Sequence, residues 1–328
     1  MISMNEELVK IDDLGLSEEE LFAHYDFSEI ESEKITAPRY SYWHSVFKVF
    51  FRKKINIFIL VLLLLVIIFS YIYPLVVSYD QYALLRDYDT WHLTPGEAYK
   101  VIGFSIHTLL GTGDTGSFIW DSTWYGARTS ISLAFICAAI NMFIGVLIGA
   151  LWGFSKKIDI VMTEVYNIIA NVPFLLIVMV LVRILSPSFV TLIFALTVTG
   201  WLGIAYFIRT QVIIIRDREY NLASRCLGTS LFRIALKNIL PFMTSIIVTL
   251  AAAEIPMYIS YEVFLSYIGL GLSANEISLG KLIEAANGAM NQFPWEFWSP
   301  VAIASIIAVV LYVAGQNLGD ASDPRTHM

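Results

Sequence analysis

Residues 55–77 read INIFILVLLLLVIIFSYIYPLVV, a run of 23 residues that contains no charged side chain. The hydrocarbon core of a bilayer is about 30 Å thick, and a helix needs roughly 20 mostly apolar residues to cross it. The run follows a stretch rich in acidic residues and lies too far along the chain to be a cleaved signal peptide. We therefore predict that it forms a membrane-spanning helix.

The rest of the chain repeats this pattern. Hydrophobic residues make up 57% of the 328 residues, charged residues make up 15%, and the mean hydropathy is +0.67. Soluble domains carry about 25% charged residues, so much of this chain has to lie in lipid. We predict an all-α polytopic membrane protein with six transmembrane helices, kinked at Pro173 and either tilted or broken at Pro256. The five further spans are residues 129–152, 160–185, 189–208, 239–268 and 298–315.

The positions of lysine and arginine predict the orientation. If the N-terminus is cytoplasmic, 16 of the 21 Lys and Arg residues fall in cytoplasmic segments and five fall outside. Because cytoplasmic segments are enriched in these residues, both termini are predicted to be cytoplasmic. The net charge of −7 has a separate origin, since residues 1–39 contain eleven acidic and three basic residues.

These features divide the chain into four predicted segments. Residues 1–39 are an acidic cytoplasmic extension, in which Ser17 to Glu20 fits a helix-capping box. Residues 40–77 comprise an interfacial segment and the first transmembrane helix, and residues 78–127 form an external loop or cap. Residues 128–328 form a core of five helices with a charged cytoplasmic loop at residues 209–238.

No catalytic, cofactor or metal site is predicted. The pair Gly280-Lys281 lacks the first glycine of a phosphate-binding loop, because position 275 is Asn. The five histidines are scattered, with no pair at helical spacing that would indicate a metal site. No Ser/His/Asp or Cys/His group falls on one side of the predicted membrane. The chain is therefore predicted not to be an enzyme.

Polar side chains within the predicted spans are candidates for a solute path, because burying them in lipid is costly. Glu254 and Glu262 lie about 80° apart around the fifth helix, which is close enough to share one broad face. Tyr258 lies between them in sequence, and Asn167 and Asn171 share a face of the third helix. These residues fit both a polar lining for a solute and interhelical hydrogen bonds that fix the packing.

Gly145, Gly149 and Gly153 repeat at intervals of four on the second helix. Small residues at this spacing let another helix approach closely in a membrane. We therefore predict a helix–helix contact along these three glycines, which by itself indicates nothing about the substrate.

The charged cytoplasmic loop has the most specific pattern. Residues 217–228 read DREYNLASRCLG, and ILP follows at residues 239–241. A helix that ends near a glycine, a second short helix and a proline at the return to the membrane predict a compact elbow. Such an elbow either inserts into a groove on a cytoplasmic partner or is an ordinary amphipathic connector.

The same loop resembles the EAA loop of ABC importer permeases. The sequence EVFLSYIGLG at residues 262–271 and the motif NLGD at residues 317–320 resemble segments of the dipeptide/oligopeptide/nickel (C-type) branch of that family. Glu164 and Asn167, together with the acidic extension, look most like the Ami/Opp oligopeptide permeases of Gram-positive bacteria. The resemblance in the loop covers Leu222, Ala223, Ser224 and Gly228, followed by Ile239, Leu240 and Pro241. Leu222 replaces the first Glu of the family pattern, and Ser224 replaces its second Ala.

The resemblance implies a type I ABC importer permease that forms half of a translocation pore and has no ATPase site of its own. Its expected location is the bacterial plasma membrane. Its expected partners are a homologous second permease, two ATP-binding subunits that hold ATP and Mg²⁺, an extracellular peptide-binding lipoprotein and the lipid bilayer, with no nucleic acid. Contact with the ATPases is expected at Asp217, Arg218, Glu219, Leu222, Ala223, Ser224, Arg225, Gly228 and Pro241.

Oligopeptide is the expected substrate class, and dipeptide and nickel are the alternatives. The predicted spans contain no histidine that would favour nickel. A secondary transporter is the alternative from a different class, in which Glu254 and Glu262 would act as proton or ion relays. Such carriers usually contain inverted repeats, and the six predicted spans show none.

Overall fold

The computed structural model describes residues 42–77, 88–273 and 275–323. Over these ranges the backbone is helical or irregular, apart from one isolated bridge between Thr112 and Phe118. The predicted acidic extension with its capping box at Ser17, the first ten residues of the predicted external segment and the last five residues of the chain lie outside the described residues. The all-α prediction is confirmed for the described ranges.

The helices are numbered here in chain order. They are α1 Tyr42–Arg52, α2 Lys54–Val76, α3 Pro95–Val101, α4 Ile119–Phe154, α5 Lys156–Ala170, α6 Phe174–Leu185, α7 Phe189–Val198, α8 Trp201–Arg216, α9 Glu219–Cys226, α10 Leu231–Ile234, α11 Leu240–Phe242, α12 Thr244–Tyr267, α13 Leu279–Asn287 and α14 Pro294–Ala321. Single π-helical turns occur within α2 at Ile68–Ile72 and after α10 at Ala235–Ile239. Short 3₁₀ turns lie at Tyr88–Thr90 and His107–Leu110.

Five segments are long and apolar enough to cross a membrane, namely α2, α4, α7 with α8, α12 and α14. The α5–α6 pair passes as a sixth span that is bent by 74° between Ala170 and Phe174. Pro173 lies in this bend. Proline has no amide hydrogen and disfavours a helical conformation in the preceding residue, so the predicted kink is a full break between two helices.

The helices extend further than most of the predicted spans. α4 begins at Ile119 rather than at residue 129, so the end of the predicted external segment is helical. α8 continues to Arg216, past the predicted end at residue 208. Hydropathy marks the part of a helix that lies in hydrocarbon, whereas these helices also have polar ends. By contrast, α12 begins at Thr244 rather than at residue 239, and it continues through Pro256 without a break.

α4 is the central helix of the described structure. It packs along α8 and α12, and α12 packs in turn on α14. The largest buried cluster includes Leu133 and Cys137 of α4, Leu196 of α7, Ile259 of α12 and Ile307 of α14. This cluster holds the long helices together, and the α5–α6 break and the α7–α8 junction lie next to α12 at its edge.

The glycine repeat lies along the contact between α4 and α8. A Cβ atom built on Gly145 would lie 2.7 Å from a methyl carbon of Ile204, and one on Gly149 would lie 2.5 Å from the carbonyl oxygen of Ala205. A Cβ atom on Gly153 would lie 2.7 Å from another carbonyl oxygen of α8. Separations this short would force the helices apart, so the structure places all three glycines where close approach requires them.

α1 lies just before the first span and is amphipathic. Val46 and Phe50 are buried against the end of α14, and the Tyr42 hydroxyl donates a hydrogen bond to the carbonyl of Ser322 at 2.8 Å. The outer face exposes Trp43, Phe47 and Phe51. A helix with one face on the protein and an aromatic face outward is suited to the membrane interface.

Candidate functional site

The elbow, residues 217–243, connects α8 to α12 and is built around a glycine turn. α9 ends at Cys226, and Gly228 is left-handed with φ = 78°. The Gly228 amide donates to the carbonyl of Arg225 at 2.9 Å, and the Thr229 amide donates to that of Ser224 at 3.1 Å. These bonds close the last turn of α9, as at a glycine C-cap. Because L side chains rarely adopt this conformation, the chain turns through a glycine.

Two amide side chains that the sequence analysis missed hold the elbow together. Asn221 is buried, and its Nδ2 atom donates to the carbonyl of Ile215 at 3.1 Å. Asn238 donates from Nδ2 to Asn221 Oδ1 and to Ser224 Oγ, each at 3.3 Å. These bonds join α9 to the end of α8 and to the segment that leads into α12. The sequence signal that could have identified them is the presence of two uncharged amide residues in a charged, amphipathic stretch.

The elbow is also attached to the end of α4. The guanidinium of Arg225 lies over the Phe154 ring, 4.5 Å from its centre, which is within cation–π range. Arg216 donates from Nη1 to the carbonyl of Gly153 at 2.7 Å. Arg225 therefore faces the body of the protein, although the family resemblance placed it among the residues that contact an ATPase.

The outward side of the elbow is exposed and partly apolar. Leu222 and Leu227 are 44% and 85% exposed, and Phe232 is 55% exposed. Exposed apolar side chains in a loop between two spans are available for contact with another protein. Of the other expected coupling residues, Ser224 is half-buried, and those that are exposed are Asp217, Arg218, Glu219, Ala223, Gly228 and Pro241.

A second site lies within the helix bundle. A concavity of about 340 Å³ is bounded by the α5–α6 break, the α7–α8 junction and α12. Its lining includes Glu254 and Tyr258 from the predicted path residues, together with Tyr166, Phe174 and Tyr261. A pocket of this size accommodates a small ligand or one part of a larger one.

Glu254 is half-buried in the wall of this concavity. The hydroxyl of Tyr258, one helical turn further on, lies beside the Glu254 carboxylate and interacts with it. Asn141 of α4 donates from Nδ2 to the Tyr258 hydroxyl at 2.6 Å and to the carbonyl of Leu196 at 3.2 Å. Asn141 thus fixes the Tyr258 ring beside the carboxylate.

Glu262 does not reach the concavity. It is fully buried, and it accepts hydrogen bonds from Ser130 Oγ at 2.6 Å and from Ser266 Oγ at 2.9 Å. Ser130 Oγ in turn accepts a bond from the amide of Leu279 at 3.1 Å. The carboxyl group therefore links α4, α12 and α13. Glu254 and Glu262 do not share one functional face, because different helices cover the two positions.

Asn167 and Asn171 also lie outside the concavity. α5 has no buried residue in the described structure, and both asparagine side chains are exposed. Asn171 donates from Nδ2 to the carbonyl of Asn167 at 2.5 Å and closes the last turn of α5. The wall of the concavity is formed instead by Tyr166, Ile169 and Ala170.

Comparison with known proteins gives matches along most of the chain. A family described as the binding-protein-dependent transport system inner membrane component matches residues 143–328, and the N-terminal TM domain of oligopeptide transport permease C matches residues 41–95. The oligopeptide transport system permease protein AmiD of Streptococcus pneumoniae is 43% identical over 94% of this chain and 98% of that protein. The corresponding protein OppC of Bacillus subtilis is 33% identical over 90% and 93% of the two chains.

The match to the inner membrane component covers the elbow and every helix that lines the concavity. The dipeptide transport system permease protein DppC of Bacillus subtilis is 36% identical over 66% of this chain and 68% of that protein. Together with the apolar helices, these matches show a multi-pass protein of the plasma membrane. The chain therefore belongs to the family of binding-protein-dependent transport system inner membrane components, in which it is a permease subunit of the ABC importer type.

Proposed function

We propose that the chain forms half of the translocation pathway of an ATP-driven oligopeptide importer. Two relatives that are named for oligopeptide transport are 43% and 33% identical over 94% and 90% of the chain, which supports the substrate class. The elbow is the observation that carries the mechanism. It is folded, exposed on one side and attached to three spans, so a force on α9 is transmitted to the helices around the pathway.

Two ATP-binding subunits dock on the exposed side of the elbow in this proposal. They hold ATP and Mg²⁺, and the chain itself has no ATPase site. Leu222 and Leu227 supply the apolar contact, while Arg218 and Glu219 orient the partner more than they add affinity. Docking of this kind needs no covalent chemistry in the permease, because the partner only has to favour one of two conformations.

Closure of the ATPases on ATP then moves α9 together with its attachments. The hydrogen bonds of Asn221 and Asn238 carry this movement to α8 and to the segment before α12. The contact of Arg225 with Phe154 carries it to α4. The pathway changes from inward-facing to outward-facing because these three helices surround the concavity or pack on its wall.

The other proposed partners are a second permease and an external binding protein. A homologous second permease supplies the other half of the pathway next to α5, which buries no residue within the described chain. An extracellular peptide-binding lipoprotein delivers the substrate on the side opposite the elbow. The elbow and both termini are cytoplasmic, because 16 of the 21 Lys and Arg residues then lie on the cytoplasmic side.

Substitution of Gly228 tests the docking role. Gly228→Val and Gly228→Asn both add a side chain on the exposed turn, and a Cβ atom there meets nothing within 4 Å. Asn tolerates the left-handed conformation, whereas Val strains it. We expect both variants to insert into the membrane and to lose most ATPase co-purification and peptide uptake. Gly288→Val is the matched control, since Gly288 is also unobstructed and its φ is −64°.

The two variants separate docking from turn geometry. If the elbow were an ordinary connector, Gly228→Asn would behave as the wild type, and Gly228→Val would lose at most about 1 kcal/mol of stability. Normal ATPase co-purification together with normal uptake in Gly228→Val would contradict the docking role.

Dipeptides are the second candidate substrate class, because a relative named for dipeptide transport is 36% identical over 66% of the chain. Competition for uptake of a labelled pentapeptide distinguishes the two classes. We expect excess unlabelled pentapeptide to abolish uptake and excess dipeptide to leave most of it. Abolition of the uptake by excess dipeptide would instead assign dipeptides to this transporter.

A further inference from the structure

Glu254 is a carboxylate without a cationic partner in the described part of the chain. The acidic residues that do form ion pairs there include Asp121, Asp159, Asp217, Glu284 and Glu296. Glu254 nevertheless lies within a membrane span, in the wall of the 340 Å³ concavity. Ionisable side chains at such positions usually face a solute path or a partner charge. The concavity therefore offers a position for a cationic group from outside the chain.

The other side chains of the concavity define which cation fits. Tyr258, Tyr261 and Phe174 line it, and the ring centres of Tyr261 and Phe174 are 5.3 Å apart. Among the described residues no group of three His, Cys, Asp or Glu could hold a metal ion. Aromatic faces attract ammonium groups, and a carboxylate accepts their charge-assisted hydrogen bonds. One carboxylate with several rings is a set of groups suited to an organic ammonium ion.

We propose that Glu254 and the rings around it bind an ammonium group of the transported peptide. The inference depends on the proposed function, because it requires a peptide as the substrate. A peptide supplies this group at its N-terminus or on a lysine side chain. Recognition of the N-terminal ammonium would let the pathway accept peptides of different sequence, since every unmodified peptide carries that group.

The contacts of Glu254 agree with a binding role rather than a bracing role. Tyr258, the neighbour with which its carboxylate interacts, lies on the same helix, so this contact joins no two helices. Asn141 crosses from α4 to hold Tyr258, so the fixed element is the ring and the carboxylate is left at the open side. A ring that is preorganised in this way loses little entropy when a ligand binds.

Uptake by cells that carry the complete transporter tests the proposal. The chromosomal copy is changed to Glu254→Gln or to Glu254→Asp, and the amount of assembled complex is measured by quantitative blotting. Three pentapeptides are compared at saturating concentration: one with a free N-terminus and no lysine, its Nα-acetylated form, and the Nα-acetylated form with one lysine. Maximal rates are used because the apparent KM also depends on the extracellular binding protein.

We expect Glu254→Gln to lower the maximal rate for the free peptide by about tenfold, the effect of losing one charge-assisted hydrogen bond. Glu254→Asp should retain part of the rate, because it keeps the negative charge. Wild-type cells should take up the neutral acetylated peptide slowly, and Glu254→Gln should leave its maximal rate unchanged. Loss of the lysine-containing acetylated peptide in the Gln variant would assign binding to side-chain ammonium groups as well.

Several outcomes would overturn the proposal. An unchanged rate for the free peptide in Glu254→Gln would do so, as would equal losses for the free and acetylated peptides. Equal rates of the free and acetylated peptides in the wild type would also contradict it. If wild-type cells take up no acetylated peptide at all, the Glu254→Asp variant decides the question. This variant keeps the negative charge, so loss of free-peptide uptake in it would contradict the proposal. Failure of the proposed function can be distinguished from failure of this proposal. In that case wild-type cells would take up none of the peptides through this complex.

Discussion

Two glutamates on α12 have opposite surroundings. Glu262 is fully buried and accepts hydrogen bonds from Ser130 and Ser266 at 2.6 and 2.9 Å. Glu254, eight residues earlier, is half-buried in the wall of a concavity of about 340 Å³. We call the surroundings of Glu262 the packed region and those of Glu254 the open region. The comparison shows that the neighbouring helices, rather than the residue type, decide whether an intramembrane carboxylate braces the fold or lines a concavity.

The glycines repeat the same contrast. A Cβ atom on Gly149 of α4 would lie 2.5 Å from the carbonyl oxygen of Ala205, whereas one on Gly203 of α8 would meet nothing within 4 Å. Gly203 lines the concavity, and Gly149 lies in the contact between α4 and α8. Packed and open surroundings are therefore each represented by one glutamate and one helical glycine, which allows matched substitutions.

The largest expected difference is between Glu262→Ala and Glu254→Ala. Glu262→Ala leaves two buried hydroxyl groups without their acceptor and creates a cavity, so we expect a loss of about 2–5 kcal/mol of stability. Glu254→Ala removes a carboxylate that interacts with Tyr258 of the same helix. We therefore expect its stability to change by less than about 1 kcal/mol. Thermal unfolding of the purified complex and the amount of protein in the membrane measure both. Similar stability losses in the two variants would remove the distinction between the regions.

Gly149→Ala and Gly203→Ala give the next largest difference. A methyl group at Gly149 would overlap the backbone of α8, and overpacking of this kind costs about 1–3 kcal/mol. Gly203→Ala adds a methyl group in open space within a helix, where alanine is favoured over glycine by about 1 kcal/mol. We therefore expect opposite signs for the two changes in melting temperature. A Gly149→Ala variant as stable as the wild type would show that α4 and α8 separate easily.

Much of the fold could be predicted from the sequence, because its signals are local. The spans follow from uninterrupted apolar runs, and the glycine contact and the turn at Gly228 follow from residue types at fixed spacing. The two prolines show the limit. Pro173 follows Asn171, whose side chain closes the last turn of α5 at 2.5 Å, and the helix ends there. Pro256 has no such cap, and α12 continues through it between α4 and α14.

The candidate site was less predictable for a related reason. Helical periodicity gives the angle between Glu254 and Glu262, but it does not say which helix covers each of them. That depends on contacts between residues far apart in sequence, such as Ser130 with Glu262 and Asn141 with Tyr258. A single sequence therefore indicates which polar groups are candidates, and the fold then separates bracing groups from exposed ones.

Tyr258→Phe should have a smaller effect, confined to the open region. The change removes the hydroxyl that accepts the hydrogen bond of Asn141 and interacts with Glu254. We expect an intact complex and a maximal rate of peptide uptake reduced by about two- to fivefold, equivalent to less than about 1 kcal/mol. Tyr261→Phe is the matched control, because Tyr261 lines the same concavity, whereas the hydrogen bond from Asn141 goes to Tyr258. Equal rates for the two variants would exclude a positioning role for Tyr258.

The smallest effects are expected on α5, at the edge of the open region. Asn171→Ala removes the side-chain bond to the carbonyl of Asn167 that closes the helix before Pro173. Asn167→Ala removes an exposed side chain and leaves that carbonyl in place. We expect a stability loss of about 0.5–1 kcal/mol for Asn171→Ala, comparable to the loss of a helix cap, and a change within about 0.5 kcal/mol for Asn167→Ala.

Thermal unfolding and co-purification of the second permease together decide what the exposed face of α5 does. If Asn167 faces an aqueous pathway, Asn167→Ala leaves both measurements unchanged, because the lost side chain was solvated in either state. If it contacts the second permease, the variant keeps the stability of the isolated subunit but loses association, since a polar group across a membrane interface then lacks its partner. The first result would extend the open region from Glu254 to the outer face of α5. The second would end the open region at Tyr166 and make α5 a subunit contact.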